Sequence, residues 1–342
     1  MLAERTAAKV EGFAPERIEA FLRGAIPGVS GAMTIERFSG GQSNPTFLVS
    51  FEDRKLVLRK KPSGAVLPSA HAVDREYRVQ KALAGSGVPV PRMVLYCGEA
   101  DVIGTPFYVM EHLAGRVIHD NALPGLSPHE RRAAYRAMAG TLARLHAVDW
   151  RQAGLADFGR HGGYFARQIA RWSKQWRLSK TRELPDIDRL TAWLPENVPD
   201  DDLTTIVHGD YRLGNLMLHP EEPRIVGVLD WELSTLGHPL ADLAHNAIAW
   251  RSTYEDHWGL QGLDLEAFGI PGEAEYLDDY YAQCHHDQRM SAFHLAFALF
   301  RFAIIFEGIA ARAIAGNAAA ENAVEVGGLS LIFARRAAEI VD

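Results

Sequence analysis

Val207-His208-Gly209-Asp210-Tyr211-Arg212-Leu213-Gly214-Asn215-Leu216-Met217-Leu218, followed by Val228-Leu229-Asp230-Trp231-Glu232, is the stretch on which the fold turns. Short β-rich runs flank a turn bearing Gly and Asn, so it reads as strand, tight loop, strand, with a further strand ending at Asp230. Asp210 and Asn215 stand five residues apart on that one loop. Such a loop can aim Asp210 at a hydroxyl while Asn215 turns toward a metal held jointly with Asp230. Phosphoryl transfer needs those parts: a carboxylate that orients the hydroxyl and accepts its proton, and oxygen ligands for Mg²⁺ on the nucleotide phosphates. Asp, Asn and Gly are also ordinary turn residues, and a capped loop without chemistry is the competing reading. Asp230 and the order of the surrounding elements weigh against it.

Working outward, the first hundred residues read mostly as strands and the rest mostly as helices. A short helix is expected over Glu16 to Ala25, with Pro15 in its first turn. Thr34 to Phe38, Thr46 to Phe51 and Lys55 to Lys60 form a predicted three-stranded meander. A helix follows over Val73 to Leu83 and stops at Gly85; strands follow at Arg92 to Cys97 and Phe107 to Met110. This makes a small antiparallel-sheet lobe with one helix, residues 1–111, left through Glu111-His112-Leu113. The larger, mostly helical lobe, 112–342, opens on a capping box at Ser127 and Glu130 with Pro128 between. Helices are expected at Tyr164 to Trp176, Leu240 to Trp250, Ala274 to Cys284, Ser291 to Ala315 and Ala318 to Ile340. Only Thr205 to Leu229 interrupts them with strands.

Protein kinases carry H-R-D-x-x-x-x-N followed by D-F-G, and the Asp210 to Asn215 spacing matches that loop, with Gly209 in place of the arginine and Asp230-Trp231-Glu232 in place of D-F-G. The pair H-G-D-x-x-x-x-N and L-D-W-E resembles the aminoglycoside phosphotransferase and choline kinase superfamily. Phe38-Ser39-Gly40-Gly41-Gln42-Ser43-Asn44-Pro45-Thr46, Leu58-Arg59-Lys60-Lys61-Pro62, Leu67-Pro68-Ser69-Ala70-His71 and Asp74-Arg75-Glu76-Tyr77 look most like the kinase-like domain that eukaryotes fuse to acyl-CoA dehydrogenases. The resemblance covers about residues 30–335 and implies a two-lobe, protein-kinase-like α+β fold with ATP between the lobes and Mg²⁺ as cofactor. It places Ser39, Gly40, Gly41, Ser43 and Asn44 over the phosphates, although the full G-x-G-x-x-G is missing. It also puts Arg59 on the phosphates with Glu76 as its partner, where kinases use lysine, and makes Glu111, His112 and Leu113 the hinge that meets adenine. Strand alternation turns Val57 and Arg59 to one face and Lys60 to the other.

Other residues have plainer readings. His208 is expected to brace the loop as a packed histidine, and Asp242, among apolar neighbours, to accept hydrogen bonds from the loop backbone, as the equivalent family position does. Glu76 could instead be a solvated helix charge. Cys97 and Cys284 are too few and too far apart for a disulfide framework and read as buried small hydrophobes in a reducing compartment. Adjacent His285 and His286 point about 100° apart on a helix, which disfavours a zinc site.

Composition bounds the partners. The chain has 342 residues, 36 Lys and Arg against 43 Asp and Glu, and a net charge of −7, which disfavours nucleic acid. The N-terminus has no apolar h-region, and Arg301 and Glu307 interrupt the most apolar stretch, so no membrane partner and a cytoplasmic location are expected. From Arg160 to Arg189 there are eight basic against three acidic residues, and from Arg251 to Arg289 two against nine. These runs read as solvated helix faces, or as the wall of a substrate site: basic for an acyl-CoA, acidic for a polycationic aminoglycoside. The terminal helices leave two readings of oligomeric state, packing within the lobe or against a second copy. Asp242 follows Asp230 by only twelve positions, too few for a protein kinase's activation loop, so the expected acceptor is a small-molecule hydroxyl. The branch resemblance implies a hydroxyacyl-CoA or related hydroxy acid. An aminoglycoside or amino-alcohol kinase is the competitor with the same chemistry, and a non-catalytic nucleotide or acyl-CoA binding protein the competitor without it. No G-x-S-x-G elbow supports a hydrolase.

Overall fold

The alternating segment Lys55–Lys60 is the middle strand of a five-stranded antiparallel sheet in the computed structural model, which describes residues 13–38, 44–62, 71–316 and 323–342. Contacts divide the chain into two compact units. One is Met1–Gly85, Pro89–Ala114 and Asp230–Glu232; the other is Ser86–Val88, Gly115–Leu229 and Leu233–Asp342.

The first unit runs α1 (Pro15–Ala25), β1 (Thr34–Arg37), β2 (Thr46–Ser50), β3 (Lys55–Lys60), α2 (Val73–Leu83), β4 (Met93–Cys97) and β5 (Phe107–Glu111), with sheet order β1-β2-β3-β5-β4. The predicted meander is present, with Leu48 opposite Val57 and Thr46 opposite Arg59. Both faces are covered, for reasons set by period two. Leu56 and Leu58 join Phe47, Val49, Phe107 and Val109 in a core closed by Ile18 and Leu22 of α1. Lys60 shares that face, buried, with its ammonium 5.4 Å from the centre of the Phe13 ring. Arg59 and its cross-strand partner Tyr108 lie on the other face with α2. Each apolar side chain buried this way contributes about 1.5–3 kcal/mol.

The second unit contains β6 (Arg116–Val117), α3 (Pro128–Ala147), α4 (Tyr164–Ser179), α5 (Pro185–Glu196), β7 (Thr205–Val207), β8 (Leu216–Leu218), β9 (Ile225–Val228), β10 (Thr235–Gly237), α6 (Pro239–Ala247), α7 (Tyr254–His257), α8 (Leu265–Phe268), α9 (Glu273–Tyr281), α10 (Ala292–Ile314) and α11 (Ala323–Val341). The capping box on α3 is formed as expected. Two small antiparallel ribbons, β10-β7 and β6-β8-β9, supply the rigid ends from which the central loop springs. Sequence reading missed β6 and β10, which have two and three residues, too short for alternation to show. It also missed α5, whose Pro185 serves the first turn while Pro195 sits inside the helix. Cys284 is half-buried rather than buried, and Cys97 is buried.

α10 has the length and mean hydropathy, 1.7, of a membrane span, yet most of that segment is buried inside the protein. Phe297, Phe300, Ala303 and Ile304 pack there with Phe333 and Ala337 of α11 and Leu190 of α5. The two charges expected to interrupt the stretch are buried too, and each hydrogen-bonds inside the protein. Arg301 donates to the Gly209 carbonyl. Glu307 accepts from the Thr181 N–H (2.9 Å) and hydroxyl (2.6 Å) and from Ser330 (2.9 Å), and lies 3.2 Å from Arg182. One carboxylate thus ties α10 to α11 and to the α4–α5 connection. Removing it leaves those donors unpaired, and Glu307→Ala is expected to lower stability by about 3 kcal/mol in urea unfolding. A loss under about 1 kcal/mol would show that the tie is dispensable.

Candidate active site

A buried carboxylate sets the loop after β7. Asp242, on α6, accepts the N–H of His208 (2.6 Å) and of Gly209 (2.8 Å), as expected from sequence. Burial would raise its pKa, but His146, His208 and the Gly209 N–H outweigh it and hold the pKa below the ordinary carboxylate range. Gly209 takes φ +84°, and a Cβ there would stand 2.7 Å from the Leu233 carbonyl oxygen. No other residue type fits without movement. His208 is fully buried; its Nε2 meets the Leu229 carbonyl at 2.8 Å and its Nδ1 accepts the Asp210 N–H at 3.2 Å. It braces the loop as predicted. The Leu229 N–H donates to the Asn215 carbonyl (2.8 Å), so the strand end that delivers Asp230 is fastened to the same loop.

The Asp210 carboxylate is held on both oxygens. His245 Nε2 lies 2.9 Å from Oδ1; Asn215 Nδ2 lies 2.8 Å and Arg212 Nε 3.3 Å from Oδ2. Burial alone would raise its pKa, but the His245 hydrogen bond and the nearby Arg212 cation pull it well below the ordinary range. Asp210 is therefore a carboxylate at neutral pH. Asn215 also donates to the Asp210 main-chain oxygen at 2.9 Å. With its nitrogen turned inward, its amide oxygen is left for a hard cation. Beside Asp210 opens a cleft, partly open to solvent, with His119, Tyr135, Arg212, His245, Trp258 and Phe302 in its wall. Among its described lining residues there is no Asp or Glu, and Arg212 is the one lysine or arginine. Neither charged run forms this wall: the Arg160 to Arg189 arginines are absent, and Arg251 to Arg289 contributes Ser252 and Trp258 but none of its acids.

In the first unit, Arg59 lies between two carboxylates, Nε 2.8 Å from Glu76 and Nη2 2.5 Å from Asp230. The Nε contact has ion-pair distance without hydrogen-bond alignment. Burial opposes the charge on Arg59, and the two carboxylates more than restore it. Glu76 is buried, not a solvated helix charge. Burial pushes its carboxyl up against the pull of Arg59, while Tyr108 (2.9 Å) and Asn44 donate to it. Asn44 is itself buried, its Oδ1 3.1 Å from His71 Nδ1; its side chain braces Glu76. Ser39, Gly40, Gly41 and Ser43 lie outside the described residues. In the hinge, the Glu111 N–H donates to Arg92 and the His112 N–H to Lys55, which leaves the Leu113 N–H as the segment's donor. Asp230 has φ +62°, a left-handed backbone unusual for a residue with a side chain, and such strain concentrates at functional positions.

His245 and Arg301 escaped sequence reading. His245 carries a signal in retrospect, lying three residues after Asp242 and so on the same helix face.

The model of the phosphotransferase enzyme family matches residues 34–276. Mouse acyl-CoA dehydrogenase family member 10 is 42% identical over 330 residues, 95% of this chain and 31% of that protein. Human acyl-CoA dehydrogenase family member 11 is 41% identical over 318 residues, 91% of this chain and 41% of that one. The chain thus spans about a third to two fifths of these relatives. A crystal structure described as a candidate aminoglycoside phosphotransferase from Ralstonia eutropha is 44% identical, with TM-score 0.88 over 96% of this chain and 98% of that one. A thermostable mutant aminoglycoside phosphotransferase, solved with AMP-PNP and hygromycin B, shares the fold at 17% identity, TM-score 0.62, over 93% and 98% of the two chains.

Two outcomes follow from the geometry. Gly209→Ala forces the loop off Asp242 and is expected to lower stability by about 1–3 kcal/mol and to depress activity more than it depresses the melting temperature. An equal melting temperature and activity would show that the +84° conformation is not required. The second concerns pH. Burial lowers the pKa of His245, and that of His294 to about 4. As pH falls from about 6.5 toward 4 the unfolded histidines bind protons that the folded ones do not, so stability is lost over that window. Asp210 and Asp242, whose pKa values are lowered, add a further loss below about pH 4. A melting-temperature series should be flat above pH 7 and fall continuously below 6.5, and His294→Phe should flatten the part between 6.5 and 4.

Proposed function

The chain belongs to the phosphotransferase enzyme family and is a small-molecule kinase with a hydroxyl acceptor, and we propose that it phosphorylates a hydroxyacyl-CoA or a related hydroxy acid from MgATP. Asp210 receives the acceptor hydroxyl: held as a carboxylate on two sides, it orients the O–H and takes its proton as the oxygen attacks the γ-phosphorus and the bond from that phosphorus to the β–γ bridging oxygen breaks, releasing ADP. Asn215 and Asp230 each present an oxygen of the kind Mg²⁺ selects, Asn215 because its nitrogen is committed to Asp210 and Asp230 because only its Oδ1 is engaged by Arg59. Mg²⁺, when bound, neutralises charge on the nucleotide phosphates. Arg59, kept in place by Glu76, steadies those phosphates through its remaining guanidinium nitrogen. The hinge at Leu113 meets the nucleobase.

The observation that carries the acceptor is the wall of the cleft beside Asp210. A polycationic aminoglycoside requires acidic lining, whereas this wall combines aromatic, aliphatic, amide and imidazole side chains with one arginine and no carboxylate. That suits an uncharged or anionic acceptor with an apolar portion, such as an acyl thioester. The names of the mammalian relatives, which refer to acyl-CoA, point the same way.

The test incubates the protein with MgATP and a panel of 4-hydroxyacyl-CoAs, free 4-hydroxy acids and aminoglycosides. Phosphorylation of the acyl-CoAs or hydroxy acids is expected, falling by about 10³-fold or more in Asp210→Ala. Turnover of aminoglycosides alone would overturn the acceptor, and equal transfer by parent and Asp210→Ala would overturn the role of Asp210.

A further inference from the structure

We propose that His245 is the positioning residue for Asp210 and, through its second ring nitrogen, a hydrogen-bond acceptor for the bound acceptor molecule. The inference rests on the kinase reading above and adds a residue to its site. His245 is buried on α6, in the wall of the cleft, with Nε2 2.9 Å from Asp210 Oδ1. An ionised carboxylate can only accept, so Nε2 carries the proton of that bond. Arg212 and Asn215 both engage Oδ2, and His245 engages the other oxygen. Without it the carboxylate is tethered on one side and can turn about its own axis, and a displacement of about 1 Å at such a group costs catalysis heavily.

The second nitrogen has no partner in the protein. Nδ1 is buried without a hydrogen bond, which in a folded protein costs about 1–3 kcal/mol and calls for a reason. A neutral ring with Nε2 protonated has a lone pair at Nδ1, and a ligand N–H or O–H in the cleft would satisfy it. The groups acting on the ring agree with neutrality. Asp210 and Asp242 favour a charge on it, Arg301 opposes one, and burial outweighs the carboxylates. Phe302 stands edge-on with ring centres 5.0 Å apart, fixing the plane of the imidazole. A histidine serving packing alone would need neither the contact to the reacting carboxylate nor an unsatisfied nitrogen beside a cleft.

Two arms test this. In the free protein, ¹⁵N-histidine spectra with His245 assigned by difference against His245→Gln should show the neutral Nε2–H form. A ring protonated at Nδ1 instead would overturn the proposal, whatever the acceptor proves to be. In the second arm, MgATP hydrolysis without acceptor and transfer to 4-hydroxybutyryl-CoA are measured for the parent, His245→Gln and His245→Ala, each with its melting temperature. A glutamine amide can restore the donor to Asp210 but leaves no lone pair in the place of Nδ1. His245→Ala is expected to lower kcat for hydrolysis by about 10–100-fold, and His245→Gln to keep it within about threefold while raising KM for the CoA ester by about fivefold. A kcat for Gln no better than for Ala, or Ala equal to parent at an unchanged melting temperature, would overturn the positioning role. An unchanged KM in Gln would overturn the acceptor contact. If Ala does not fold, Gln and the spectra decide. If the parent itself does not turn over the CoA ester, the acceptor assignment fails while hydrolysis and the spectra still judge His245 as the positioning residue.

Discussion

Burying the carboxylate of Asp242 under the loop after β7 is the constraint from which the chemistry of the larger unit follows. An isolated carboxylate in that place would be prohibitively unfavourable, and it is tolerated because two successive N–H groups, those of His208 and Gly209, converge on it. Convergence of neighbouring amides is not a strand conformation. Just after them Gly209 takes the left-handed backbone, so the chain turns out of strand β7 beyond Val207 and the next side chain, Asp210, leaves in a new direction. The carbonyl of Gly209, in the next peptide, is fixed from elsewhere: Arg301 of α10 donates to it. A loop held by its donors from one helix and by an acceptor from another has little freedom left, which is what a base needs if the barrier is to be lowered by preorganisation.

The same constraint explains an otherwise odd helix. α10 is apolar enough for lipid but has a buried arginine and a buried glutamate. Both are there because each satisfies backbone or hydroxyl groups that would otherwise be orphaned: Arg301 the loop carbonyl, Glu307 the Thr181 N–H at the close of α4. The phenylalanines between them supply the packing energy, and the two charges fix the register in which that packing happens.

Much of this was legible in the residues. The Asp210 to Asn215 spacing, the alternation in Lys55–Lys60 and the Ser127 and Glu130 cap are local signals, and each element forms where those signals place it. Asp242 was legible because a lone carboxylate among Leu240, Ala241, Leu243 and Ala244 demands partners. His245 was not, because α6 is buried on every side, so amphipathic periodicity assigns it no face; the helical offset from Asp242 was the only pointer. Whether the charged runs border the cleft was not legible for a different reason. A helix face rich in arginine is visible in sequence, but which face borders a cleft depends on tertiary packing, and the cleft wall takes its residues from other segments. Short ribbons such as β10 have too few residues for a period and exist only because β7 is there to pair with.

Arginine at position 59 is best understood through the number of atoms it must satisfy. Its Nε faces Glu76 and one terminal nitrogen faces Asp230, two carboxylates from positions far apart in the chain. A lysine concentrates its donors on a single nitrogen, so an ammonium engaged by both carboxylates would have little capacity left for a third anionic group. The planar guanidinium separates these duties: two nitrogens hold the carboxylates, and the second terminal nitrogen is left to point elsewhere. The cluster of one cation and two anions carries net negative charge at the residue, Asp230, whose second oxygen is not engaged by Arg59. Local charge of that sign favours a divalent cation over a bare phosphate at Asp230, while the spare guanidinium nitrogen favours phosphate beside it. On the proposed reading, arginine here would preserve the division between a metal-facing carboxylate and a phosphate-facing cation, with two nitrogens on carboxylates and the third for phosphate.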